Sequence, residues 1–214
     1  MCWNENVSLN TFVFSMFVLL LIIYNNKYTQ YKITELDNIW TYIFFMSFIS
    51  IQLVEFFIWR NINNKFYNHL FSLIGGLILF MQPVFSLMVL SNISLRNLLL
   101  TTYLLPGIPY IIYKIFTKDM YTTISKSGKL RWYFFESPPL LVIIWIFYLL
   151  FSVVYEKYIM GILFGIGLLG LTYYNYKNDE TYASMWCWIA NSVMIYYAFY
   201  LLIVLPFYEK NSIC

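Results

Sequence analysis

Residues 39–59 read IWTYIFFMSFISIQLVEFFIW. These twenty-one residues carry one charge, Glu55, and contain neither proline nor glycine. A helix of that length covers roughly 30 Å, the thickness of a bilayer's hydrocarbon core. The stretch therefore reads as a membrane-spanning helix, and its single carboxylate is the exception to be explained.

Working outward, the same reading recurs at residues 7–24, 67–91, 97–115, 138–155, 158–175 and 183–205. The breaks are polar and short. Asn25-Asn26-Lys27 closes the first run, Arg60 to Lys65 separates the second from the third, and Ser91 to Arg96 precedes the fourth. Glu156-Lys157 and Asn175 to Glu180 make the later breaks. Tight links make consecutive helices run antiparallel. Trp40, Trp59, Tyr113, Tyr155, Tyr158, Tyr173, Tyr174 and Tyr182 gather at the ends, where amphipathic rings favour the headgroup level. The expectation is an all-α, polytopic seven-helix transmembrane bundle, one domain over residues 1–214.

Composition agrees. Apolar residues make up 61% of the chain and charged ones 11%, with a mean hydropathy of +0.67. Soluble domains carry about 25% charged residues, so this chain cannot clothe a water-facing surface. The net charge of +3, with no basic tract, argues against nucleic acid as a partner. The bilayer is the partner that composition implies; oligomeric state and host membrane are not legible. The first run has no basic segment before it and no small-residue cleavage pattern after it, so it reads as a retained helix.

One connection is long, Phe116 to Ser137. Within it Tyr121 to Ser125 and Leu130 to Phe134 flank Lys126-Ser127-Gly128-Lys129. Two β-prone runs around a glycine turn read as an interfacial hairpin between spans 4 and 5, with an amphipathic loop as the alternative. Its Trp and Tyr are expected at the interface and its lysines in water or on lipid phosphates. A cytoplasmic N-terminus puts eight Lys and Arg inside and five outside, which the positive-inside rule favours.

Seven spans put the chain start, the end of span 2 and the start of span 7 on one face. Gln52, Glu55 and Trp59 follow i, i+3, i+7 on span 2, and Ser184, Cys187 and Asn191 repeat that spacing on span 7. Ionisable residues inside a span usually face a polar interior. Cys2, Asn4, Gln52, Glu55, Ser184 and Cys187 are therefore the candidate ligand-binding residues. The competing readings are that Glu55 snorkels to water or pairs with Arg60, and that the small polar residues are interhelical glue. Cys2 reads as a packed, lipidated or nucleophilic thiol, the last only if Met1 is removed. Gln82-Pro83 in span 3 and Pro106 and Pro109 around Gly107 in span 4 mark helix irregularities that could extend a polar path.

Some chemistries are excluded. The last span has no lysine for a retinal Schiff base, and the lone His69 cannot build a bis-histidine haem or His-rich zinc centre. Cys2, Cys187 and Glu55 are a thin ligand set, so no metal is assigned, and no cofactor is indicated. No Gly-x-Ser-x-Gly, P-loop or His-Glu-x-x-His pattern occurs.

Met1-Cys2-Trp3, Gln52-x-x-Glu55-x-x-x-Trp59 and Ser184-x-Trp186-Cys187 resemble an uncharacterised family of seven-span membrane proteins of bacteria and large DNA viruses. Gly128-Lys129-Leu130-Arg131-Trp132 is a further element of the resemblance. Asn4 stands where that pattern has Ser, and Ala183 where it has Gly. The resemblance implies the seven-span fold and the importance of the motif residues, and it transfers no activity. The leading reading is a bundle that binds or transports a small ligand, ion or proton through a polar pocket near one face. The alternatives are an intramembrane enzyme using a carboxylate and a thiol on a lipid-soluble substrate, and a non-catalytic structural protein.

Overall fold

Four helices start on an asparagine. Asn4, Asn38, Asn64 and Asn92 each stand just before a helix, and each side chain accepts from a backbone N–H of its first turn: Val7 at 3.0 Å, Trp40 at 2.9 Å, Tyr67 at 3.2 Å and Leu95 at 3.1 Å. Asparagine is a favoured residue there because its carbonyl satisfies an amide that the helix cannot. The helices that follow are α1 (Glu5–Tyr28), α2 (Ile39–Arg60), α3 (Lys65–Leu87) and α4 (Ile93–Thr117). Proline supplies the fifth start, α5 (Pro139–Tyr155), where its missing N–H costs nothing. Two further helical stretches complete the bundle, α6 (Ile159–Asp179) and α7 (Tyr182–Phe207). The structure, a computed structural model, describes residues 4–118 and 120–207.

Among the described residues, six of these seven helices are long and apolar enough to cross a membrane, and α5 is a shorter apolar helix of 17 residues. That architecture supports a multi-pass integral membrane protein. The first four helices begin at or before their apolar runs because the capping asparagines lie in the polar breaks. At its far end α3 stops short, at Leu87 and not near residue 91, since Met88–Asn92 must turn the chain and cap α4.

Helix α2 packs against α1, α3 and the first half of α7; α5 packs against α3 and α6; α4 leans mainly on α3. Arg60 at the end of α2 lies 3.9 Å from Glu5 at the start of α1, as antiparallel neighbours require. Ser86 of α3 donates to Leu149 O of α5 at 2.6 Å and meets the Ser152 hydroxyl at 2.5 Å.

Between α4 and α5, β1 (Thr122–Ile124) pairs antiparallel with β2 (Leu130–Trp132), Thr123 opposite Arg131. Gly128 takes φ +76° in the turn, a conformation that glycine adopts without a Cβ penalty. The pair is sunk into the end of the bundle. Met120, Leu130, Trp132 and Phe134 are buried with Ile51, Val54 and Ile58 of α2, Leu79 of α3 and Cys187 of α7. Trp132 was expected at the interface; it lies in this core, stacked on Phe134 at 5.1 Å. Gly75 and Gly76 allow the approach, because a Cβ there would stand 3.2 Å from Phe134 and 3.0 Å from Met120. Asn68 of α3 clasps β1 like a neighbouring strand. It donates to Thr122 O and accepts from Thr122 N, each at 2.9 Å.

Candidate functional site

Glu55 sits just over one turn from the end of α2, among Ile51, Val54 and Ile58, which face the core. It is 1% exposed, as is Ser184 near the start of α7. The Ser184 hydroxyl donates to Glu55 Oε1 at 2.8 Å, across 129 residues of sequence. Arg60, the other partner considered for Glu55, instead lies against Glu5 in an exposed pair.

The neighbours on both helices are also buried. Gln52, one turn deeper than Glu55, is wholly enclosed, and neither atom of its amide has a partner among the described residues. Cys187, one turn deeper than Ser184, packs in the core with Ile51, Val54 and Ala183. Asn191 follows a turn later and donates from its side chain to Cys187 O at 2.8 Å. That bond replaces a main-chain bond, because the Asn191 N–H has shifted to Trp188 O and Ser192 N–H bonds Ile189 O. The tightened turn breaks α7 at Asn191–Ser192 and leaves Asn191 Oδ1 buried without a partner among the described residues. Broken helices in membrane proteins recur where backbone lines a site.

Of the six candidates, Gln52, Glu55, Ser184 and Cys187 meet in this layer. Asn4 does not join them: it is exposed, and its side chain is spent capping α1. Cys2 lies outside the described residues.

On the hairpin side, Ser184 forms part of the floor of a cavity of about 740 Å³. Its walls come from the end of α4, the chain leaving β2 and the start of α7. Lys114 is 6% exposed and donates to Phe134 O and Glu136 O, each at 2.7 Å, and to Ser137 Oγ at 3.0 Å. These bonds tie α4 to the hairpin exit. Arg131 bridges Glu136, at 3.0 Å, and Glu180, joining the hairpin to the turn before α7. Partial burial works against the Arg131 charge, but the Glu136 hydrogen bond and the nearby carboxylates outweigh it and hold its pKa above the ordinary value. Neither Lys114 nor Arg131 is among the candidate ligand-binding residues that the sequence singles out. The available signal was Lys114 itself, a cation within the apolar run 97–115.

A second cavity, of about 90 Å³, opens from the opposite end. Leu36 and Tyr158 line its outer part, and Trp186 and Asn191 its inner part. Here α6 widens into a π-helical turn, Leu163–Gly167, and the Trp186 indole donates to Gly165 O at 3.1 Å. π-Turns are frequent at functional sites. Between Ser184 of the first cavity and Asn191 of the second lie roughly 10 Å of helix. The intervening layer holds Glu55, Gln52 and Cys187.

Among the described residues, no three His, Cys, Asp or Glu side chains gather as a metal ion would need. No family model matches the chain, and neither a curated protein nor a solved structure is similar to it.

Proposed function

We propose that the chain is a seven-span member of the family that its motifs resemble, and that it passes an ion or proton by way of Glu55. In this reading α5 crosses with the other helices: its 17 residues meet the lower limit for a bilayer span. The observation that carries the proposal is a buried carboxylate–hydroxyl pair in a thin layer between two cavities approaching from opposite ends. An ionised carboxylate enclosed within a span is costly to place in a membrane, and such residues characteristically mark ion and proton pathways. The broken turn of α7 and the π-turn of α6 border the second cavity and provide the local give that opening it requires. Burial of Cys187 within packed apolar side chains favours this reading over one in which its thiol attacks a substrate.

The test is flux into proteoliposomes. Vesicles holding a pH-sensitive dye, and parallel sets loaded for Na⁺, K⁺ and Cl⁻ readout, are placed under an imposed membrane potential. The native chain should carry at least one of these ions faster than protein-free vesicles, and Glu55→Gln should remove that flux. Flux that survives Glu55→Gln unchanged would overturn the role of Glu55. No flux for any of the four would overturn conduction.

A further inference from the structure

The cavity above Ser184 adjoins an apolar slot of about 340 Å³ between α3, α4 and α5. Tyr110, Lys114, Phe135 and Ser137 line both, so the two meet along that wall. We propose that together they seat one phosphate-headed membrane lipid, its headgroup in the vestibule and one acyl chain in the slot. The seat is independent of the role proposed for Glu55.

The slot is chemically suited to hydrocarbon because its polar atoms are already engaged. Tyr103 OH donates to Phe80 O at 2.8 Å and Trp145 Nε1 to Leu79 O at 2.8 Å. Tyr148 OH donates to Thr102 Oγ1 at 3.1 Å, and Tyr110 OH to Ser137 Oγ at 3.0 Å. What remains facing the space is mainly carbon, which suits a hydrocarbon chain better than a polar ligand. Along α4 the slot runs from Lys114 to Thr102, a rise of roughly 18 Å, close to the depth of one leaflet of a ~30 Å core. Its outer rim lies beside the exposed apolar residues Leu105, Leu140 and Ile143, so a lipid can enter laterally from the membrane.

The vestibule supplies the complementary charge. Among the described residues its charged groups are Lys114, Lys118 and Arg131 against Glu136 and Glu180. Arg131 is shared between the two carboxylates, whereas the hydrogen bonds of Lys114 all go to neutral oxygens. Lys118 follows one turn after Lys114. The excess of one positive charge, beside the slot, matches the single negative charge of a phosphodiester. A soluble phosphate ester would satisfy the vestibule and leave the slot unused, and a neutral diacylglycerol would do the reverse.

The purified, delipidated protein is tested by thermal stability and native mass spectrometry with three probes. These are dioleoyl phosphatidylglycerol, dioleoylglycerol with the same tails, and inorganic phosphate. Phosphatidylglycerol should bind at one copy and raise the melting temperature, with the other two each giving less than a quarter of that rise. Lys118→Gln, at an exposed position, should weaken phosphatidylglycerol about fivefold. Ile144→Trp, which fills the slot, should weaken it at least tenfold. Glu55→Gln should bind it as the native chain does, so loss of flux and loss of lipid remain separate results. The proposal is overturned if inorganic phosphate or dioleoylglycerol alone equals phosphatidylglycerol, if no probe binds, or if both Lys118→Gln and Ile144→Trp bind as the native chain does.

Discussion

Asn68→Ala removes the side chain that stands in for a strand beside β1. Both Asn68 and Thr122 are buried, at 5% and 1% exposure, so water cannot replace the lost bonds while the hairpin stays seated. Truncation then leaves the Thr122 N–H and C=O without partners, at about 1–3 kcal/mol each, or roughly 2–6 kcal/mol together. The alternative is for the hairpin to lift off and hydrate those groups. That would expose Met120, Leu130, Trp132 and Phe134, each worth about 1.5–3 kcal/mol, or roughly 6–12 kcal/mol in all. Staying seated costs less. The variant should therefore keep its hairpin and lose about 2–6 kcal/mol of stability in SDS-titration unfolding from mixed micelles. Hydrogen exchange over residues 120–135 should stay protected relative to the global opening of the variant. Stability within about 0.5 kcal/mol of the native chain would show that Asn68 is no latch. Selective loss of protection over 120–135 would show that the apolar seat is weaker than the burial implies.

Ser184→Ala should cost about 1–3 kcal/mol in the same unfolding assay, because it strips a donor from an enclosed carboxylate. Native stability for that variant would mean that the 2.8 Å bond contributes nothing. Ser86→Ala and Ser152→Ala should be sub-additive, with a coupling of about 0.6 kcal/mol in a double-mutant cycle, the size typical of hydrogen bonds between membrane helices. Full additivity would separate the two hydroxyls. In a Cys2→Ser, Cys214→Ser background, Cys187 should react with maleimide at least a hundredfold more slowly than in the SDS-denatured chain. Equal rates would contradict its burial in the core below Ser184.

The helices were legible because the signal is local: long apolar runs and polar breaks that double as asparagine caps. The meeting of Glu55 with Ser184 was legible too, since two i, i+3, i+7 stripes at one end of antiparallel helices have few other places to go. What stayed hidden depends on contacts distant in sequence. Nothing around Asn68 says that it will bond Thr122, 54 residues later, and Trp132 in isolation looks like any interfacial tryptophan. The irregular turns were hidden for a different reason. The break at Asn191–Ser192 contains neither proline nor glycine, and it arises because the Asn191 side chain takes the carbonyl of Cys187. The π-turn of α6 lies in a run with Gly161, Gly165 and Gly167, but such glycines accompany ordinary close packing as well. Lys114 stands at the end of an apolar run, where a lysine commonly snorkels, and its burial against the chain leaving the hairpin depends on contacts about twenty residues away.

Gln52 separates a packing role from a working one. Its amide is wholly enclosed and without a partner among the described residues, an arrangement that costs roughly 1–3 kcal/mol on mutational scales. Leucine has a similar volume and nothing to satisfy. If the layer between the two cavities served packing alone, Gln52→Leu would improve the protein with no loss. Buried polar groups of that cost are tolerated where function depends on them, so stability and activity should move apart. Gln52→Leu is expected to be about 1–3 kcal/mol more stable in SDS titration and to lose most of the flux that Glu55 supports. Gln82, equally enclosed in α3 and equally without a partner among the described residues, lines neither cavity. Gln82→Leu should show the same gain in stability and keep its flux. A stabilised Gln52→Leu that still conducts would take Gln52 out of the pathway. A destabilised one would show that the amide is bonded in the folded protein and would remove the cost on which the argument rests.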